Sequence, residues 1–503
     1  VLLIVILRIL LTACVLLVFC TANVPTVAAQ TQDGGAPWHD VRDRLNPFPT
    51  QTFQPTNQTS AQPKNRTTTP TPKNPRLGTN FANYYKAPGV RAYGDMRDAG
   101  ASHDRITFDW FRLQPTSTVF STDVVQAYDA LVADAGTANI QILGVLIGAP
   151  DWAKDTSITG GAYNIPRNLN LAWNDPNNYW GQYVNQIALR YKGTVRDWEV
   201  WNEPNLSEFW PASPALFARL MQVSYQAIKA ADPNATVVLG GIYRGVNDTT
   251  IRSIFSALRD LDPTGVNRYF HDVIGFHLYD GGHCSTLDEL EYLRQFFWKP
   301  YVGDKPIWMT ESGIRVWDTP RNDGYALPIE SATFFLTNYA YSLAHGVQRY
   351  YYFRAIDPDP NDPQPWGLLK ADGTPRLSLT AMRVAAQYLP SQMLGYTFEL
   401  VNNNAVHKAT FFTPSGRTTV VWNISAGPQD VLLPSGAPTG TLVTQEGITN
   451  TLDAVSGTYV LNLAPAQNFR WGQPTCQVAS PPLILIEDGV VMQPRQWLPV
   501  MAR

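Results

Sequence analysis

This 503-residue sequence predicts an α/β protein, a (β/α)8 (TIM) barrel with a C-terminal antiparallel β-sandwich domain behind it. Three observations lead there. From Arg76 to about Pro390, eight short apolar runs alternate with amphipathic helical stretches. The first run and its exit, LGTNFANYY, lack the glycine fingerprint that a doubly wound nucleotide-binding sheet would need at that point. From Gly395 to Gln473 the texture changes to short alternating runs ended by Gly or Pro, the pattern of a small sandwich.

Taken in order, the chain starts with an apolar stretch, Ile9 to Phe19, behind Arg8. Val27-Ala28-Ala29 offers small residues for cleavage before Gln30. Residues 1–29 therefore read as a secretory signal peptide, with an uncleaved membrane anchor as the alternative, and the protein is expected to be secreted or extracytoplasmic. Leu11-Thr12-Ala13-Cys14 looks like a lipoprotein box but has too little apolar chain before it. No other stretch is long and apolar enough to span a bilayer. Residues 30–75, with runs such as TTTPTPKNP, are rich in Thr, Pro, Gln and Asn and cannot bury enough surface to fold, so a flexible linker is expected.

The barrel is expected over 76–390. Its candidate strands are Leu77–Phe81, Arg105–Phe108, Gln141–Ile147, Trp198–Val200, Val237–Gly240, Val273–His277, Pro306–Thr310 and Arg349–Phe353. Between them lie helix signals. Ser213-Pro214 is an N-cap with proline at the first helical position, Thr286-x-x-Glu289 is a capping box, and Phe334 to Leu343 carries an apolar face. The sandwich is expected over 391–473, with a turn at Pro414-Ser415-Gly416 in its first hairpin. Residues 474–503 are apolar and proline-containing, and their pattern assigns them no role.

Composition narrows the function. Hydrophobic residues make up 44% of the chain, enough for a large core. The 38 basic and 41 acidic residues give a net charge of −3 without any basic run, which removes the footprint of a nucleic-acid binder. Aromatic residues reach 12%, either as core or as platforms for flat apolar faces. Cys14 and Cys20 lie in the leader, leaving Cys284 and Cys476, whose pairing spacing alone does not decide.

The chemistry concentrates in WEVWNEPN at 198–205. In a (β/α)8 barrel, reactive groups project from the C-terminal ends of strands, and Asn202 and Glu203 end the fourth. Side chains alternate along a strand, so both reach one pocket only if the strand end bulges or turns. Pro204 stops the ladder there. A second acid ends the seventh strand in PIWMTESG: Glu311 follows Glu203 by 108 residues, three βα units of about 36. Two carboxyls facing each other across a barrel mouth suit glycoside hydrolysis, one as general acid and the other as nucleophile.

EVWNEPNLSEFW at 199–210, followed by a helix and ATVVLGG at 235–241, resembles the acid/base segment of clan A glycoside hydrolases, and most of all family 39. That family holds β-xylosidases, α-L-iduronidases and exopolysaccharide hydrolases. The resemblance covers about 76–473 and implies a retaining barrel enzyme with an appended sandwich, needing no cofactor. By position it implies that Glu203 is the acid/base and Glu311 the nucleophile. Asn202 would bind the sugar 2-hydroxyl, Tyr279 in GFHLYD would hydrogen-bond the nucleophile beside His277, and Arg105 in RITFDW would stand near it. One departure stands out. The xylosidase form after the nucleophile is Tyr-Asn, but here Ser312-Gly313 follows, which weakens transfer of xyloside specificity.

Other acids and rings have plainer readings. Glu199, in mid-strand, reads as part of an interior ion pair. His277, Asp280, His283 and Cys284 match no zinc spacing, and no metal is expected. Trp152 and Trp366, at strand-to-loop exits, are the better candidates for sugar platforms; Trp198 and Trp308 read as core. The expected partner is a carbohydrate, with no nucleic acid and no membrane span in the mature chain; the oligomeric state is left open. Two other functions fit the same residues: a non-catalytic carbohydrate-binding surface protein, and a transglycosylase using the same two glutamates.

Overall fold

The computed structural model describes residues 71–83, 92–116, 119–244, 248–279, 284, 289–318, 326–361, 365–469 and 476–490. The expected signal peptide and nearly all of the expected linker lie outside these residues. Among the described residues, no helix is long and apolar enough to cross a membrane.

Eight parallel strands close into a barrel: β1 (Leu77–Asn80), β2 (His103–Asp109), β3 (Gln141–Ile147), β4 (Asp197–Asn202), β5 (Thr236–Tyr243), β6 (Val273–His277), β7 (Ile307–Ser312) and β8 (Val347–Tyr352), with β8 pairing back onto β1. All eight expected strands are present, and the largest differences are a few residues at their ends. Buried on both faces, β3 and β5 read as near-continuous apolar runs, whereas β2 and β4 carry polar residues among the apolar ones. The lower barrel is filled by Leu143, Val238, Val273, Trp308 and Tyr351. Beneath them Arg349 lies 3.9 Å over the Trp308 ring and pairs with Asp197 at 2.6 Å. The bottom is therefore closed by packed side chains and one ion pair.

The helix Pro214–Ala231 starts as its sequence predicts, with the Ser213 hydroxyl accepting from the Leu216 N–H at 3.2 Å. Thr286, of the expected capping box, lies outside the described residues. The helix over Pro328–Leu343 contains the expected Phe334–Leu343 segment and is unusual: every residue from Glu330 to Leu343 is buried. A helix covered all round has neighbours on each side. Phe335 and Tyr339 pack on Tyr350 of β8. On the other side Tyr341 meets Phe398 edge-on at 5.3 Å, and the Thr333 hydroxyl bonds Gln445 at 2.7 Å.

Those last partners belong to the second domain. Its larger sheet runs in the order β14-β13-β18-β11-β10-β9, from β9 (Gly395–Val401), β10 (Val406–Phe412), β11 (Gly416–Asn423), β13 (Thr439–Val443), β14 (Thr449–Asp453) and β18 (Leu483–Asp488). A two-stranded antiparallel sheet of β12 (Gln429–Pro434) and β15 (Thr458–Leu463) covers it, and β16 (Asn468–Phe469) pairs with β17 (Cys476–Val478). The core between them includes Val406, Val421, Val431, Leu433, Tyr459, Leu461 and Leu485. Part of the segment without an assigned role, 474–503, thus has one: β18 sits between β11 and β13 in the middle of the sheet.

The barrel and the sandwich share the buried helix, so they should unfold together. Trp422, fully buried against His407 and Phe398, tests this. Trp422→Ala is expected to cost about 3–5 kcal/mol and to lower a single calorimetric transition of the whole unit. Two separated transitions would show that the domains are independent.

Candidate active site

The upper barrel is organised around Arg105 of β2, which is 1% exposed. A guanidinium has five N–H donors, and here all five are used. Nε and Nη2 donate to Glu199 at 2.6 and 3.3 Å, and Nη2 also donates to Asn202 at 2.9 Å. Nη1 donates to Glu311 at 2.5 Å and to Asn80 at 3.2 Å. Glu199 is also bonded by the Gly241 N–H at 2.7 Å and the Thr310 hydroxyl at 3.2 Å. It is the interior ion-pair partner that its mid-strand position predicts.

The end of β4 resolves the alternation problem posed by Asn202 and Glu203. Trp201 and Glu203 both adopt left-handed backbone, with φ of 72° and 43°, a conformation that costs a non-glycine residue about 1–3 kcal/mol. The reversal sends the Trp201 indole outward between Trp180, Trp210 and Tyr163, where its N–H donates to Phe209 O at 3.0 Å. Glu203 then faces inward, its own N–H held by Gly241 O at 3.0 Å. Past Pro204 the Asn205 side chain stands in for the missing strand, accepting from Tyr243 N–H at 3.0 Å and donating to Tyr243 O at 2.9 Å. Gly241 is required here: a Cβ on it would lie 2.0 Å from His277 Nε2.

The two acids come together. Glu203 Oε1 lies 2.8 Å from His277 Nδ1, and Glu311 Oε2 lies 3.6 Å from the same nitrogen and accepts from the Tyr279 hydroxyl. One oxygen of Glu203, one of Glu311 and a His277 nitrogen lie within 4.8 Å of one another. Among the described residues they are also the group that could hold a metal ion; Asp280 and His283 lie outside these residues, and Cys284 is disulfide-bonded.

Burial lifts the pKa of both carboxyls, but unequally. Glu203 is pushed well up, by burial first and then by the charge of Glu311, with Arg105 opposing. Burial also raises Glu311, but Arg105 and the Tyr279 hydrogen bond pull against it. The shared proton therefore rests on Glu203, and Glu311 is the anion. Burial and then Arg105 hold His277 well below the usual histidine range, so it is neutral. Burial and the two acids keep the Tyr279 hydroxyl protonated and available to donate.

The departure at Ser312-Gly313 has a physical cause. Ser312 faces the helix Pro328–Leu343, donating to Leu278 O at 2.7 Å and accepting from Asn338 at 3.1 Å. A Cβ on Gly313 would stand 2.1 Å from Phe353 O and 3.3 Å from the Trp366 ring. Trp366 occupies that space, edge-on to Tyr279 at 5.2 Å. Trp152 is placed elsewhere: it packs on Trp110 and Tyr179, and its N–H donates to Gln114 O at 2.9 Å. Asn80 was missed in the sequence, although its place at the end of the first strand could have marked it.

A family model described as cellulase (glycosyl hydrolase family 5) matches residues 69–331, a stretch that holds both Glu203 and Glu311. The chain belongs to this family. It is a clan A glycosidase, as the resemblance implied. Solved structures with the same fold include a family 39 glycoside hydrolase from the gut symbiont Bacteroides cellulosilyticus WH2, with 20% identity, a TM-score of 0.60, and 82% of this chain and 81% of that one covered. A family 39 enzyme from Xanthomonas axonopodis pv. citri follows at 15% identity, TM-score 0.52, covering 82% and 93%. A family 30 endoxylanase from Clostridium papyrosolvens C71 has 14% identity, TM-score 0.54, covering 83% and 97%. No curated protein sequence matches the glycosidase.

The proton on Glu203 makes a prediction about stability. The glycosidase in its folded state raises this pKa above the ordinary 4.5, so the native state holds the proton more tightly than the unfolded chain. Stability is then full below about 4.5 and falls as pH rises through the folded value. Glu203→Gln removes the group that titrates. Its melting temperature is expected to exceed that of the native enzyme, with a gap that widens from pH 5 to pH 8. A gap that is constant or negative over that range would contradict the assignment.

Proposed function

We propose that this glycosidase retains anomeric configuration and cleaves O-glycosidic bonds of a poly- or oligosaccharide by double displacement. The observation that carries the reading is the approach of Glu203 and Glu311 oxygens within 4.8 Å. That matches the roughly 5–5.5 Å carboxyl spacing of retaining enzymes, whereas inverting enzymes need about 6.5–9.5 Å to seat a water.

In the first step Glu311 attacks the anomeric carbon while Glu203 gives its proton to the departing oxygen. Arg105 and Tyr279 each hold one oxygen of Glu311, so the carboxylate is aimed before substrate arrives. Asn202, fixed through its carbonyl to Arg105, leaves its amide N–H groups for the sugar 2-hydroxyl. Once the glycosyl-enzyme forms, the negative charge on Glu311 is gone, and with it the second-largest cause of Glu203's raised pKa. Glu203 then takes a proton from water while the water oxygen bonds the anomeric carbon and displaces the Glu311 carboxylate, which frees the sugar. His277 holds Glu203 through both steps.

An endoxylanase and β-xylosidases stand among the structural matches, so xylan-type β-glycans are the first substrates to screen. A 2-deoxy-2-fluoro glycoside with an activated leaving group is expected to label Glu311, read by peptide mass. Glu203→Ala should lose about 10²–10⁴ in kcat/KM on poor leaving groups and regain turnover with azide, giving a product of retained configuration. An inverted product, or a label on another residue, overturns the reading.

Export belongs to the same proposal and rests on the 1–29 pattern. The mature protein from a secreting host should begin at Gln30 by N-terminal sequencing; an intact leader would remove the cleaved-signal reading.

A further inference from the structure

The segment that follows β8 holds a buried acid that the mechanism above does not use. Asp357 is 5% exposed. Its Oδ1 accepts the backbone N–H groups of Trp366 at 3.0 Å and Gly367 at 2.7 Å. Its Oδ2 pairs with Arg376 Nη2 at 2.7 Å, and Arg354 Nη2 stands 3.5 Å from Oδ1. Arg376 also donates through Nη1 to Gly367 O at 2.7 Å. One carboxylate and one guanidinium thus clamp the backbone at residues 366 and 367 from both sides, with charge-assisted bonds away from water.

What the clamp holds in place is the Trp366 ring. Its indole meets Tyr279 at 5.2 Å and 70°, and Phe353 at 5.7 Å and 81°. Tyr279 and Phe353 also meet each other edge-on at 5.9 Å. The three rings form one packed group, and the Tyr279 hydroxyl reaches from it to Glu311. The backbone before this tyrosine is tied to β7, with Leu278 N–H donating to Glu311 O at 3.2 Å and Ser312 donating to Leu278 O. The backbone is therefore anchored, and the ring is held nearest by Trp366 and Phe353, with Tyr243 farther off at 6.4 Å. At 8% exposure Trp366 is a wall behind Tyr279 rather than an open platform. Gly313 leaves the room that this wall needs.

We propose that Asp357 is a positioning residue for glycosylation: by pinning Trp366 it keeps the Tyr279 hydroxyl on Glu311. This inference rests on the reading of Glu311 as nucleophile. Losing the hydrogen bond makes Glu311 easier to protonate, so the acidic limb of the kcat/KM profile should move to higher pH. A role in folding alone would lower the melting temperature and leave the limb where it is.

The test compares Asp357→Asn with the native enzyme, alone and in a Tyr279→Phe background. Asp357→Asn should move the acidic limb upward by about half a pH unit or more. It should also slow fluorosugar trapping about tenfold, with KM changed less than kcat. In the Tyr279→Phe background the same substitution should add little, because both act through one hydroxyl. If Asp357→Asn does not fold, Trp366→Phe and Trp366→Ala carry the test with the same limb readout. A limb that stays in place in the folded variants, or effects that multiply in the double variant, overturns the proposal. Native enzyme that cannot be trapped at Glu311 overturns the nucleophile reading instead, so the two failures are distinguishable.

Discussion

The upper barrel depends on one buried cation. Glu199, Glu203 and Glu311 share a space from which water is largely excluded, and three carboxylates cannot all be charged there without a compensating group. Arg105 supplies the charge, and its planar fork also supplies the geometry, reaching two of the acids and two asparagines with five donors. A lysine would bring the charge without the fork. Because the guanidinium commits to Glu199 and Glu311, Glu203 is left as the acid without a close cation. The inequality between the two reactive glutamates thus follows from where one arginine spends its hydrogen bonds.

The barrel accepts local strain to present these groups. A regular β4 would send Asn202 and Glu203 to opposite faces. Left-handed backbone at Trp201 and Glu203 brings them to one pocket, and an aromatic cluster of Trp180, Trp201 and Trp210 holds the distorted end in place. Asn205 then restores by side chain the ladder that Pro204 interrupts. Tight packing around a strained segment is what allows it to persist. It also explains why so much tryptophan surrounds a six-residue strand.

Sequence reading reached those parts of this arrangement that are local or periodic. Eight apolar runs at regular spacing announce the barrel, and Asn-Glu-Pro and Thr-Glu at two strand ends announce the acids. The tension at WEVWNEPN was legible, because alternation and Pro204 require a bulge; which residues would turn left-handed was not. Asp357 lies in DPDPNDPQPW and reads as one loop acid among several, since its partners Trp366 and Arg376 meet it only once the loop is folded. The strand β18 was missed for a related reason. LILIED has a strand's composition, but its neighbours β11 and β13 lie about 40 to 70 residues earlier. A run whose partners are distant carries no local sign of where it belongs. Trp152 has the converse character: a ring at a strand exit, it packs on the rings of Trp110 and Tyr179, which lie elsewhere in the sequence.

The sandwich acquires a meaning from the same long-range contacts. The buried helix over Pro328–Leu343 touches the sandwich through Thr333 and Tyr341. From the same helix Asn338 donates to Ser312, and Ser312 donates to Leu278 O. Ser312 adjoins Glu311, and Leu278 adjoins Tyr279. A helix with solvent on its outer face would need polar residues there and would be free to shift against β7. Covered by the sandwich, it is buried all round, its few polar side chains are hydrogen-bonded to both neighbours, and its position is fixed from both sides. The second domain is therefore best understood as the outer wall of the support for β7, which explains why a barrel complete in its eight strands carries about 100 further residues.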